Sequence, residues 1–201
     1  MLRSPAPSSS IRTSPSYQRP ALLEKAWALP VARRYAPLLA QSLTSICGPT
    51  SVANVLRSMD VRSEKNPFRR FGLRAMSLDE VVSESAELVP AGWSVRAVRP
   101  RSVDALRAEL RASNDERHRF VANFSRAPLF GGGGGHHSPL GGFLEDEDLA
   151  FMLDVNAGFG PWLVSVERLF DAVNTGHWGG GPTRGLARFE RLEVVGSGRN
   201  P

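Results

Sequence analysis

The apolar pattern of this 201-residue chain changes period at about residue 120. Before that point, apolar residues recur every three or four positions, which is typical of amphipathic helices; after it, short apolar runs alternate with turns, which is typical of strands. Helices followed by a meandering set of strands predict the α+β class, with the helices packed on one antiparallel sheet. Because no apolar stretch approaches the roughly 18 residues of a transmembrane helix, an integral membrane protein is excluded.

Three helices are predicted in the first half of the chain. The first begins at Cys47, where the following Gly-Pro suits a first helical turn and the later apolar residues share one face. A second begins at Ser77, which forms a capping-box pattern with Glu80, and a third begins near Val103. The mixed segment 22–39 predicts an irregular arm or a short helix.

The second half predicts strands at 120–124, 140–144, 149–155 and 185–194, with one further helix that begins after Ser165. The strands at 140–144 and 149–155 flank a short acidic turn, so they are expected to form a hairpin. The helices of the first half, including the one that begins at Cys47, would then pack on this antiparallel sheet.

The charge is unevenly distributed. The first 46 residues contain six basic residues and one acidic residue, whereas the remaining 19 basic and 19 acidic residues balance. Residues 1–20 are rich in serine and proline, so they are predicted to be a disordered basic leader before a domain at 21–195 and a flexible tail at 196–201. A neutral domain argues against nucleic acid as a partner. No membrane partner is expected, and one cysteine suits a reducing, cytoplasmic location.

Cys47 is the single cysteine, and its predicted place at a helix N-terminus would stabilise a thiolate through free backbone N–H groups. Taken alone, such a cysteine is as well explained as a small buried apolar residue. His136 at the start of a strand could act as its base, and Asp154 at the end of the next strand could orient that imidazole, because antiparallel neighbours bring a start beside an end. The order Cys, His, Asp matches a thiol acyl-transfer triad.

Several segments together carry a family resemblance. The most specific is Gly-His-His-Ser-Pro-Leu-Gly-Gly-Phe at 135–143, and the others lie at 41–51, 76–80, 121–126, 149–155, 170–175 and 183–185. The sequence resembles the catalytic domain of phytochelatin synthases and their short bacterial relatives, over about residues 21–193. This resemblance implies a papain-like fold.

The resemblance also implies a reaction on glutathione. Cys47 would attack the amide that joins cysteine to glycine, His136 would transfer the protons, Asp154 would hold the imidazole tautomer, and Gln41, six residues before the cysteine, would stabilise the oxyanion. The resulting γ-glutamylcysteinyl thioester would pass to water or to a second thiol peptide. No cofactor is expected, and cadmium or zinc would take part as the thiolate complex of the substrate.

Asn123, Gly135 and Arg184 match positions that contact the γ-glutamyl donor in this family. His177 stands where the family usually has an acidic residue, and a glycine run follows at 179–181. This departure leaves open a donor other than glutathione. A homodimer also stays open.

A papain-like binding module without turnover, and a cysteine peptidase of the double-glycine leader type, share parts of the pattern. A zinc site would need several of the four histidines, but His136 and His137 should face opposite sides of a strand, with His137 a solvated neighbour. The glycine run at 131–135 lacks the Lys-Ser/Thr of a phosphate loop.

Overall fold

The structure is a computed structural model that describes residues 9–59, 66–176 and 184–193. At its centre is a six-stranded sheet. The strands are β1 (Trp93–Val98), β2 (His118–Ser125), β3 (Gly135–Leu144), β4 (Leu149–Leu153), β5 (Pro161–Ser165) and β6 (Gly185–Arg191). Their order across the sheet is β1-β6-β2-β3-β4-β5, and each neighbouring pair is antiparallel. The four predicted strands correspond to β2, β3, β4 and β6.

The helices are α1 (Pro20–Trp27), α2 (Pro30–Arg33), α3 (Cys47–Ser58), α4 (Pro67–Phe71), α5 (Leu78–Ala86), α6 (Val103–Ala112), α7 (Ala127–Phe130) and α8 (Val166–Val173). The helices predicted to begin at Cys47, at Ser77, near Val103 and after Ser165 are α3, α5, α6 and α8. The α+β class is therefore confirmed. Within the described ranges, no helix has the length and apolar character needed to cross a lipid bilayer.

The sheet is buried on both of its faces. Along β2, Val121 packs into a cluster with the residues of α3 and α5, whereas Phe120 and Ala122 pack into a second cluster with α6 and α8. The residues of β4 alternate between the same two clusters, and all five are buried. This double burial explains the continuous apolar run of β4. It also means that a side chain on either face of β3 is shielded from solvent.

The N-terminal segment corrects one prediction. Disorder over residues 1–20 is wrong for residues 9–20, which lie against the domain and include a 3-10 turn at Ile11–Thr13. Ile11 and Tyr17 are buried, the Tyr17 ring stacks on Trp162, and the backbone oxygen of Tyr17 accepts a hydrogen bond from Leu163. Two apolar side chains thus anchor a segment whose serine and proline content suggested otherwise. Residues 1–8 and 194–201 lie outside the described residues.

The capping box of α5 gives a first testable prediction. Ser77 Oγ accepts a hydrogen bond from the backbone N–H of Glu80, and the Glu80 carboxylate accepts one from the Ser77 N–H at 2.7 Å. Ser77→Ala removes one of these caps, so it is expected to lower the free energy of unfolding by about 1 kcal/mol. In a thermal melt this corresponds to a fall of roughly 2–4 °C in the unfolding temperature.

The matched control is Ser83→Ala, which changes an exposed serine inside the same helix. Because alanine is the better helix former there, the free energy of unfolding of this variant should lie within about 0.5 kcal/mol of the parent value. Equal losses in the two variants would contradict a capping role for Ser77.

Candidate active site

A cleft of about 270 Å³ opens at the N-terminal end of α3. Its walls come from α3, α5 and the loop before it, β2, β3 and the residue that precedes β6. The lining residues are Cys47, Ala75, Met76, Ser77, Glu80, Asn123, Gly135, His137 and Arg184. Four residues predicted from the sequence therefore meet in one cavity: Cys47, Asn123, Gly135 and Arg184.

Cys47 is the first residue of α3, only 6% exposed, with its thiol at the positive end of the helix. Burial raises the pKa of this thiol, but hydrogen bonding and charge from His136 and His137 outweigh burial and lower the pKa to about 5. The sulfur therefore carries its negative charge at neutral pH, which is the reactive form of a cysteine.

Iodoacetamide should alkylate Cys47 rapidly down to about pH 5, because the thiolate persists to that pH. Cys47 is the sole cysteine, so mass spectrometry of the intact protein reads one site. In denaturant the same titration should move to about pH 8.5, the value of a free thiol. A folded-state midpoint near that free-thiol value would contradict the thiolate.

His136 and Asp154, the other two residues of the predicted triad, are hydrogen-bonded to each other. The Nε2 atom of His136 lies 2.9 Å from Asp154 Oδ1, and the ring packs edge-on against Phe124. Burial lowers the pKa of His136, but the Asp154 carboxylate and the Cys47 thiol together raise it above its usual value. With Nε2–H donated to Asp154, Nδ1 is the ring atom left for Cys47.

The Asp154 carboxylate is held by two side chains that the sequence analysis did not assign to the site. Arg126 Nη2 donates to both oxygens at 3.1 and 3.0 Å, and Trp162 Nε1 donates at 3.0 Å. The backbone N–H of Asn156 also donates to Oδ1 of this carboxylate, at 2.9 Å. Burial raises the pKa of Asp154, but His136, the Arg126 charge and the Asn156 N–H lower it overall. Arg126 stands in a segment that carries the family resemblance, which was the available signal.

Gln41 is anchored next to this pair through its backbone. Its N–H donates to the oxygen of Val155, the residue after Asp154, at 2.7 Å. The side-chain oxygen Oε1 of Gln41 is buried and has no hydrogen-bond partner among the described residues. Oxyanion stabilisation by Gln41 remains a prediction.

The predicted donor contacts share one wall of the cleft. Arg184 is 7% exposed, and its Nη1 donates to Asn123 Oδ1 at 3.3 Å. A Cβ atom at Gly135 would lie 2.5 Å from the same Nη1, so only glycine leaves the guanidinium in this place. The fourth predicted contact, His177, and the glycines at 179–181 lie outside the described residues.

His137 corrects a second prediction. It is not a solvated neighbour: it is 2% exposed, because the face of β3 that carries it is covered by α3. Its Nδ1 lies 3.8 Å from Cys47 Sγ, and its Nε2 lies 2.9 Å from Asn123 Nδ2. The two adjacent histidines do have different partners, since His136 bonds Asp154 and His137 bonds Asn123.

Among the residues that the structure describes, no group of three or more His, Cys, Asp and Glu side chains is arranged to hold a metal ion. His118 lies at the opposite end of β2 from Asn123, where it bonds Glu190 at 3.1 Å.

A helix with an N-terminal cysteine, packed on an antiparallel sheet that supplies a histidine, is the arrangement of papain-like cysteine enzymes. Comparison with known proteins places the chain more narrowly. The family model described as phytochelatin synthase matches residues 2–186, so the chain belongs to the phytochelatin synthase family.

Curated relatives carry a matching name. Glutathione gamma-glutamylcysteinyltransferase 1 of Triticum aestivum is 28% identical over 169 residues, which cover 75% of this chain and 34% of the relative. Glutathione gamma-glutamylcysteinyltransferase 2 of Arabidopsis thaliana is also 28% identical over 169 residues, covering 75% of this chain and 37% of the relative. The chain thus spans about a third of the length of these relatives.

Among solved structures, the peptidase domain of Streptococcus ComA, a bi-functional ABC transporter involved in a quorum sensing pathway, matches with a TM-score of 0.51. The match covers 78% of this chain and 98% of the ComA domain at 17% identity. At that identity the likeness concerns the fold, and it confirms the papain-like architecture.

Proposed function

We propose that this protein is a glutathione-cleaving acyltransferase that forms a γ-glutamylcysteinyl thioester on Cys47. The observation that carries the proposal is the Cys47 thiol, ionised with a pKa of about 5, in a cleft that also contains the buried Arg184 guanidinium. The thiolate supplies a nucleophile, and the guanidinium supplies a partner for a substrate carboxylate. Membership of the phytochelatin synthase family and the names of the curated relatives support glutathione as the donor.

In the first half-reaction, Cys47 Sγ attacks the carbonyl carbon of the cysteine–glycine amide. The sulfur–carbon bond forms, and negative charge collects on the carbonyl oxygen, where the backbone N–H of Cys47 and the Gln41 side chain would stabilise it. The carbon–nitrogen bond then breaks as protonated His136 gives a proton to the leaving amine. Glycine departs, and the thioester stays on Cys47.

In the second half-reaction, neutral His136 removes a proton from the acceptor. With water as the acceptor, the product is γ-glutamylcysteine. With the α-amino group of another glutathione as the acceptor, a new amide forms and the peptide grows by one γ-glutamylcysteinyl unit. In both cases the carbon–sulfur bond of the thioester breaks, which returns the thiolate to Cys47. Throughout, Asp154 holds the Nε2–H bond of His136 and stabilises the imidazolium.

Recognition of the donor falls to the part of the cleft wall formed by Asn123, Gly135 and Arg184. Arg184 would bind the α-carboxylate of the γ-glutamyl group, with Asn123 holding the guanidinium and Gly135 leaving room for it. His177 stands where the family usually has an acidic residue for the donor's α-amino group, so this is the part of donor recognition that departs from the family. Metal would enter as the cadmium or zinc thiolate of the acceptor peptide, because the chain has one cysteine and that cysteine is the nucleophile. A free, low-pKa thiol also suits the cytoplasm.

The test is incubation with glutathione, with and without cadmium, followed by mass spectrometry of the products and of the intact protein. Glycine with γ-glutamylcysteine would identify a hydrolase, and longer γ-glutamylcysteine chains would identify a synthase. Cys47→Ala should form no acyl adduct and no product. If the parent protein forms neither product nor adduct, glutathione is not the donor, and the peptidase and binding-module alternatives become the ones to pursue.

A further inference from the structure

Two histidines lie close to Cys47, whereas the proposed chemistry uses one. His136 pairs with Asp154, which gives it the partner that a base needs. His137 is buried on the α3 side of β3, with its Nδ1 atom 3.8 Å from Cys47 Sγ, within hydrogen-bonding reach of sulfur. The mechanism proposed above gives no role to this buried polar ring beside the nucleophile.

The proton on His137 Nδ1 follows from the group that this atom faces. Arg184 carries donors alone, so the Asn123 atom that faces its Nη1 at 3.3 Å must be the amide oxygen. The amide nitrogen of Asn123 then points to the His137 ring, 2.9 Å from Nε2 and 3.5 Å from Nδ1. Because it is close to both ring nitrogens, it packs against the ring and does not select a tautomer. A thiolate accepts hydrogen bonds, so Nδ1, the atom that faces the sulfur, must carry a proton to bond it.

We propose that His137 is a second hydrogen-bond donor to the Cys47 thiolate, with Nδ1–H as the donor. In this arrangement His137 holds the thiolate, whereas His136 is the imidazole that exchanges protons during turnover. The division of labour follows from the partners, because the Asp154 carboxylate favours an imidazolium at His136, while His137 contacts the amide of Asn123.

The arrangement links the donor wall of the cleft to the nucleophile. Arg184 bonds Asn123, the Asn123 amide packs against the ring of His137, and His137 would donate to Cys47. The remaining charged groups around the sulfur come from other elements: His136 on β3, Arg126 after β2, Asp154 after β4 and Glu80 on α5. Each of these stays in place when His137 alone is changed, so the contribution of His137 can be measured separately.

A matched pair of variants isolates the hydrogen bond. Asparagine and leucine have the same shape, but an asparagine at 137 can present an N–H close to the position of Nδ1, whereas a leucine cannot. A hydrogen bond to a charged group is worth about one to two pKa units. We therefore expect His137→Leu to move the midpoint of the iodoacetamide pH titration of Cys47 upward by about that amount, and His137→Asn to recover at least half of the shift.

Equal midpoints in His137→Leu and His137→Asn would overturn the proposal, whether both stay at the parent value or both move upward together. The first outcome would show that His137 does not stabilise the thiolate. The second would assign the shift to loss of ring packing. Circular dichroism confirms that each variant is folded before it is titrated.

The parent protein allows a test that needs no destabilised variant. Nitrogen-15 NMR of the labelled imidazoles distinguishes the two neutral tautomers, and the chain has four histidines to assign. His137 should carry a proton on Nδ1, and a ring protonated on Nε2 alone would contradict the proposal. The division of labour rests on the proposed function, but alkylation and NMR use no acyl donor. A failure of glutathione cleavage is therefore distinguishable from a failure of this proposal.

Discussion

Substituting His136 by glutamine is expected to lower glutathione turnover by about 10²–10⁴-fold, the usual contribution of a general acid–base group. Glutamine can place its side-chain N–H where Nε2 stands, so it keeps the hydrogen bond to Asp154 and the local packing. It cannot, however, accept or release a proton. The loss should therefore appear in kcat for glycine release, with little change in the thermal unfolding temperature.

The pH dependence gives this substitution a second readout. In the parent protein the thiolate–imidazolium pair exists between the Cys47 pKa of about 5 and the His136 pKa, which lies above its usual value of about 6.5. Activity should rise through the first value and fall through the second. In His136→Gln the thiol loses a partner, so the alkylation midpoint of Cys47 should move to higher pH.

His118→Gln is the control, because this histidine is also buried but bonds Glu190, away from the cleft. It should retain parent activity. If His136→Gln remains active and His137→Leu does not, the two adjacent histidines have the opposite roles from those proposed. The pair of substitutions therefore decides which imidazole is the base.

The parts of the site that the sequence predicted are those with a local signal. Cys47 begins a helix whose apolar face is regular, and Asp154 closes an apolar run, so the sequence alone places both on their elements. The antiparallel pairing of β3 with β4 then brings His136 to Asp154. In each case the residue type and its position along an element pointed to the same role.

The parts that the sequence missed depend on tertiary packing. Edge strands β1 and β5 were not predicted: β1 is only partly buried and carries a charged residue, Arg96, and β5 begins with a proline. Arg126 and Trp162 lie 28 and 8 residues from Asp154, so their convergence on one carboxylate has no local pattern. The burial of His137 likewise depends on helices that cover both faces of the sheet.

Replacing Asp154 by alanine should be the most disruptive single change in the described part of the chain. The substitution leaves the Arg126 guanidinium, the Trp162 N–H and the His136 N–H without their shared acceptor. Breaking a buried ion pair by removing one partner typically costs about 3–5 kcal/mol, because the other charge stays buried. Asp154→Ala should therefore lower the free energy of unfolding by about that amount and also abolish turnover.

Stability and catalysis can be separated with a double substitution. Arg126→Met together with Asp154→Leu removes both charges and fills the space with apolar side chains, so most of the lost stability should return. Activity should not return, because His136 has lost the carboxylate that fixes its tautomer. Urea unfolding of the parent, of Arg126→Met, of Asp154→Leu and of the double variant measures the coupling free energy between the two residues directly. A double variant as unstable as Asp154→Ala alone would show that the loss does not come from the unpaired charge.

The sign of the pH dependence gives an independent check on the same carboxylate. The pKa of Asp154 is lower in the folded protein than in the unfolded chain, where it is about 3.9, so its ionised form stabilises the fold. That contribution is complete above the unfolded value and is lost as the pH falls through the lower, folded value. The stability gap between the parent and Asp154→Asn should therefore be constant at neutral pH and shrink below about pH 4. A gap that persists unchanged into that acidic range would mean that shape, rather than charge, is what Asp154 contributes to the fold.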